Sequence, residues 1–133
     1  TANGRRIKRW RLFDEREQQL MKATHINHPS AIWCRENKNN YDWLYNMTVE
    51  LLKEYTFRYG KVHLTDTKLR KILATPPKNI ATKKFEEPWR AMPDEVKIGN
   101  DSLASYRNYY INNKTHLASW KKRNIPEWYS ANI

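Results

Sequence analysis

Apolar residues recur at helical spacing in two long stretches of the chain. In the first, Leu44, Met47 or Thr48, Leu51 and Tyr55 fall three or four residues apart and define one apolar face. Asn37 and Asn40 stand ahead of this run, where an asparagine side chain can accept backbone N–H groups. Gly60 follows it and can take the left-handed conformation that ends a helix. The pattern predicts a helix from about 37 or 40 to 59. In the second stretch Leu103, Tyr106, Tyr110, Leu117 and Trp120 form a stripe, with Asp101 or Ser102 as cap, predicting a helix over about 101–123. Lys121-Lys122-Arg123 would sit at its C-terminal end, where the helix dipole favours cations, and Pro126 forbids continuation.

Shorter elements fill the gaps. A short helix is expected over 14–23 and another over 66–73, the latter capped by Thr65. Pro76, Pro77, Pro88 and Pro93 exclude a regular helix between 75 and 99, which is expected to be an ordered surface loop pinned by Trp89 and Met92. No segment alternates apolar and polar residues in the manner of a strand. The expected fold is therefore all-α: a compact single domain over 1–133 with two long helices, shorter helices and a Pro-rich loop. A chain of 133 residues can bury a core without disulfides or a metal.

Charge changes the picture from fold to function. Lys and Arg number 25 against 14 Asp and Glu, a net charge of +11, which favours a polyanionic partner because each neutralised phosphate releases a counterion. A phosphate-rich membrane surface would satisfy the same balance. No apolar run approaches the roughly 20 residues that span a bilayer, so no membrane is expected. The one cysteine, Cys34, cannot form an intrachain disulfide, which points to a reducing, cytoplasmic location.

The candidate nucleic-acid-binding residues form three groups. Arg5, Arg6, Lys8, Arg9 and Arg11 crowd a basic arm over about 1–13, with Trp10 and Phe13 threaded through it. Arg107, Lys114 and Lys121 are spaced seven apart and would share one face of a helix. Lys121, Lys122 and Arg123 lead past Pro126 to Trp128 and Tyr129, which suits a phosphate clamp beside a base-stacking site. Glu54 and Arg58 read as an i,i+4 ion pair. His25, His28, His63 and Cys34 do not have zinc-ligand spacing, so no metal and no cofactor are expected.

Several of these residues also carry a likeness to a known family. Ala2-Asn3-Gly4-Arg5-Arg6-Ile7-Lys8 resembles the A-N-G-K-R-V-R segment of phage pyrimidine-dimer DNA glycosylases. His28, Glu54-x-x-x-Arg58, Gly60, Asp66-Thr67 and Pro126-Glu127-Trp128-Tyr129 follow in the family's order and approximate spacing. The pattern Asn27-His28-Pro29, Trp33, Asn40-Tyr41-Asp42-Trp43-Leu44 and Glu54-Tyr55-Thr56-Phe57-Arg58-Tyr59-Gly60 is similar to further phage proteins. The resemblance implies an all-α fold, double-stranded DNA as partner, and a role in phage DNA repair or modification in the host cytoplasm.

The family reaction runs through a Schiff base made by an N-terminal α-amine, aided by a Glu and without a metal. The family-matching His28, Glu54 and Arg58, and the α-amine of Thr1 beside Arg5 and Arg6, are the candidates for catalysis. The family's nucleophile and catalytic Glu precede its A-N-G-K-R segment, and Thr1 aligns with an interior position. A further N-terminal segment, supplied by a second polypeptide, is therefore a possible partner. An exposed Thr1 amine among cations would itself favour the neutral, nucleophilic form. The expected function is thus DNA binding of the glycosylase/AP-lyase type. The alternatives are a non-catalytic nucleic-acid-binding protein and a host-interacting phage protein.

Overall fold

A computed structural model describes residues 10–133. Among these residues there are six α-helices, α1 (Arg16–Gln19), α2 (Pro29–Glu36), α3 (Lys38–Tyr59), α4 (Leu64–Leu73), α5 (Ser102–Asn113) and α6 (Glu127–Ser130), with 3₁₀ turns at Asp94–Val96 and Thr115–Leu117. Among the described residues there is no strand, and the fold is all-α. Among the described residues no helix is long and apolar enough to cross a membrane.

α3 is the axis of the molecule. Asn37 accepts from the Asn40 N–H at 2.9 Å and starts it. Gly60, at φ +65°, ends it with its N–H on the Thr56 carbonyl. Its buried apolar side chain is Leu52, whereas Leu51 is 64% exposed, so the packed face is rotated about one residue from the expected one. α2 was absent from the expectation. It starts at Pro29, whose missing N–H costs nothing in a first turn, with His28 Nδ1 accepting from Ser30 N–H. Asn37 is extended and separates α2 from α3, so the two helices meet at a corner.

The other expected elements differ at their ends. α1 is a single turn rather than a helix over 14–23, because none of its residues is buried and one turn alone gains little. α4 is capped by His63, not Thr65: the imidazole accepts from the Thr65 N–H. The last long helix stops at Asn113. Asn112 turns its side-chain amide back onto the Asn108 carbonyl, and Lys114 leaves helical geometry. Leu103 and Leu117 of the expected stripe are each 59% exposed; the side of α5 that packs is Ser102 and Ser105.

The interior is correspondingly polar. Buried apolar side chains are Trp33, Leu52, Leu69, Val96 and Tyr129, while the fully enclosed ones are Asn37, Asn40 and Ser105. Asn40 donates to the Trp33 carbonyl at 2.9 Å and accepts from the Glu86 N–H at 3.0 Å. Trp33 Nε1 donates to the Glu86 carbonyl, Asn37 Nδ2 to the Lys84 carbonyl, and Lys38 N–H to the Ala81 carbonyl. These bonds stitch 81–86 along the α2–α3 corner, and Phe85 packs against both Trp33 and Trp43, which also touch each other.

Further along the loop, Val96 is buried, Asn108 donates to its carbonyl, and the Ser105 hydroxyl accepts from the Ile98 N–H. Trp89, expected to pin the loop, is 53% exposed; its carbonyl, not its ring, is the fixed part, accepting from the Tyr106 hydroxyl. On the opposite side of α3, Tyr41 and Tyr45 hydroxyls donate to the Leu73 and Arg70 carbonyls and so satisfy the C-terminal end of α4.

Replacing Asn40 by Leu keeps the volume but leaves the Glu86 N–H and the Trp33 carbonyl buried without their partner. The expected loss is about 3 kcal/mol in urea unfolding. Asn39→Ala removes an exposed bond to the Lys83 carbonyl and should cost less than about 1 kcal/mol.

Candidate nucleic-acid interface

The last two turns of α3 carry Glu54, Phe57, Arg58 and Tyr59 to its C-terminal end. The chain returns to this end after α5. A turn closed by Arg123 N–H on the Trp120 carbonyl, with Lys122 at φ +61°, brings three consecutive cations against it. Arg123 donates twice to Glu54, from Nε at 3.0 Å and Nη2 at 3.1 Å, and its guanidinium lies 3.9 Å from the centre of the Phe57 ring. Arg58 Nε donates to the same carboxylate at 3.0 Å. Lys122 donates to the Phe57 carbonyl at 3.3 Å, at the negative pole of the helix dipole. Lys121 places its ammonium 4.8 Å from the Tyr59 ring centre.

Aromatic residues floor the neighbouring surface. Trp120, Trp128 and Tyr129 pack on one another at 4.9–6.2 Å between ring centres. Arg107 of α5 lies 5.4 Å over Trp128. Cations stacked on ring faces are attracted by the ring quadrupole and are held in place without being neutralised. This clasp therefore holds Arg58 and Arg123 on the Glu54 carboxylate, with Lys121 over Tyr59 and Lys122 on the Phe57 carbonyl beside them, and keeps a surplus of positive charge.

The expected site residues thus divide. Lys121, Lys122, Arg123, Glu54 and Arg58 come together, and Arg107 joins Trp128 beside them. Tyr129 is 6% exposed and belongs to the core, so it offers no face for stacking; Trp128 is half-buried. Arg107, Lys114 and Lys121 do not form a helical row, because α5 ends before Lys114; the Lys114 ammonium lies 5.0 Å over Tyr109. Arg11 is exposed and adjoins Leu12, which lies by Tyr41 and Leu73, about 24 Å along α3 from the clasp. Thr1, Arg5, Arg6, Lys8 and Arg9 lie outside the described residues. Phe57, Tyr59 and Trp120 were not singled out as site residues in the sequence, although the first two flank Arg58 directly.

The catalytic candidates among the described residues have structural partners. His28 caps α2. Glu54 is held below the ordinary glutamate value, first by the hydrogen bonds from Arg123 and then by that from Arg58, and stays an anion rather than a proton donor. Cys34 is half-buried, and desolvation pushes its thiol up, away from the reactive thiolate. Among the described residues no three His, Cys, Asp or Glu side chains are grouped to share a metal ion. Comparison of the chain with protein-family models, curated proteins and solved structures gives no match.

Because the Glu54 carboxyl is depressed in the folded state, its contribution to stability is present above the ordinary value near 4.5 and is lost as pH falls through the folded one. Glu54→Gln should lower Tm at neutral pH and shrink the further drop as pH falls below the ordinary glutamate value near 4.5. Parallel Tm curves for the two proteins would show that the clasp contributes nothing.

Proposed function

We propose that the protein binds nucleic acid, with a phosphate backbone running over the clasp at the C-terminal end of α3. The observation that carries this reading is the convergence of Arg58, Lys121, Lys122 and Arg123 on Glu54 and the rings of Phe57 and Tyr59, in a chain of net charge +11. Lysine ammonium groups suit a phosphate as point charges, and Arg123 braces the array through its fork on Glu54. The likeness to phage pyrimidine-dimer DNA glycosylases supports double-stranded DNA as the partner and repair or modification of phage DNA as the setting.

Binding of a labelled duplex, followed by fluorescence anisotropy, should fall steeply with salt. About four phosphate contacts correspond to a loss of roughly a hundredfold between about 50 and about 200 mM salt. Lys121→Ala should reduce the slope of log affinity against log salt by about 0.9, the share of one phosphate. Affinity that ignores salt would remove the reading.

A second reading, DNA glycosylase/AP lyase, rests on the family-like residues 2–8 and 126–129. In that reading Glu54 and His28 support the fold and the nucleophile is an amine, either that of Thr1 or one on another segment. Incubation with an abasic duplex in the presence of borohydride should then leave a covalent adduct. A gel shift with intact DNA and no adduct would leave binding alone.

A further inference from the structure

α3 and α5 face one another without closing. Between them lies a cavity of about 520 Å³, in the size range of ligand sites, whose lining includes Trp43 and Met47 of α3, Trp89 of the loop, and Leu103, Tyr106 and Tyr110 of α5. Every lining side chain is apolar, aromatic or a serine. The surface is open: Trp43 is 42% exposed, Trp89 53% and Leu103 59%. Tyr106 is fixed by its hydroxyl on the Trp89 carbonyl, and Trp43 by edge contact with Trp33, so these two rings are held before anything arrives, while the Trp89 ring stands free at the rim.

The groove leads into the clasp. Trp43, Met47, Leu51, Glu54 and Arg58 recur every three or four residues and share one face of α3 over about 22 Å. On α5, Tyr106 and Tyr110 bracket Arg107, which lies over Trp128. An occupant of this surface meets flat apolar rings at one end and cations at the other. Unpaired nucleic acid has that chemistry, because its bases expose π-faces and its links are anionic. In a duplex the base faces are spent on each other. A second copy of this chain, at +11, would bring like charge to the same end.

We propose that the α3–α5 groove receives unpaired bases, so that the preferred ligand contains a single-stranded stretch whose phosphates continue onto the clasp. The proposal rests on the nucleic-acid reading above and narrows its ligand from an intact duplex, which reaches the clasp alone, to DNA with an unpaired stretch, which reaches both. The groove supplies stacking and the clasp supplies charge, and the two should be separable by substitution.

The test is anisotropy with a fluorescein-labelled oligothymidylate of roughly 12 nucleotides and a blunt duplex of the same length. The wild-type protein is compared with Trp89→Leu, Leu103→Glu and Lys121→Ala, each checked for retained helicity by circular dichroism. The expected result is tighter binding of the single strand. Trp89→Leu and Leu103→Glu should each weaken single-strand binding on the order of tenfold and leave the duplex within about twofold. Lys121→Ala should weaken both ligands. Equal affinity for the two ligands, or groove variants that bind the single strand like wild type, would overturn the groove proposal while leaving the clasp intact. Failure to bind either oligonucleotide would overturn the nucleic-acid reading itself. Sedimentation of the wild type as a dimer that Leu103→Glu dissociates would assign the groove to a second copy instead.

Discussion

The side chain of Asn40 holds the molecule together. It lies fully enclosed on the first turns of α3, and its amide faces two main-chain groups that belong to neither α3 nor each other: the carbonyl of Trp33 and the N–H of Glu86. One planar group therefore fixes the angle of α2 and the path of the loop together. A hydrocarbon of the same size could fill the space but could not choose the register, since buried main-chain groups must find partners. Asn37, Ser105, Asn108 and Tyr106 repeat the device farther along, each binding loop backbone by a side chain. A Pro-punctuated segment that cannot form its own ladder is thus bound to helices one hydrogen bond at a time.

This arrangement decides where function can sit. With the loop bound to the α2–α3 corner, α5 is carried alongside α3 and the chain after it can reach the C-terminal end of α3. There Glu54 meets Arg123 across 69 residues. The carboxylate performs for the charged end what Asn40 performs for the interior: it satisfies two groups from different parts of the chain and orders them. Its cost in net charge is small, because the lysines beside it are steadied by ring faces and a helix terminus rather than by further acids.

α3 was legible because every local signal agrees: an Asn cap, a helical apolar period and a terminal Gly. α2 was hidden because His28 is an unusual cap and Asn37 interrupts the helix for a single residue. The over-long last helix shows the limit of periodicity. Leu117 and Trp120 continue the spacing of Leu103 and Tyr110, yet the helix ends first at Asn112-Asn113, a pair of poor helix formers. The charged residues of the site were readable as charges but not as neighbours. Nothing in residues 118–126 announces that their partner is the end of α3, and the ring partners Phe57 and Tyr59 acquire that role only through the turn at Lys122. Tyr129 was misplaced for the converse reason: an aromatic residue near a terminus looks the same in sequence whether it caps a core or faces solvent.

An interior closed by amides and hydroxyls also has a thermal signature, and it is small. Exposure of apolar surface to water raises heat capacity, and exposure of polar surface lowers it. Unfolding this chain releases Asn37, Asn40 and Ser105 together with Trp33, Leu52, Leu69, Val96 and Tyr129. The enclosed amides and hydroxyl trim only a small part of the heat-capacity increment that the hydrocarbons set. The curve of stability against temperature therefore keeps its ordinary dome, and cooling, which weakens cohesion between hydrocarbons, acts on this fold as on others.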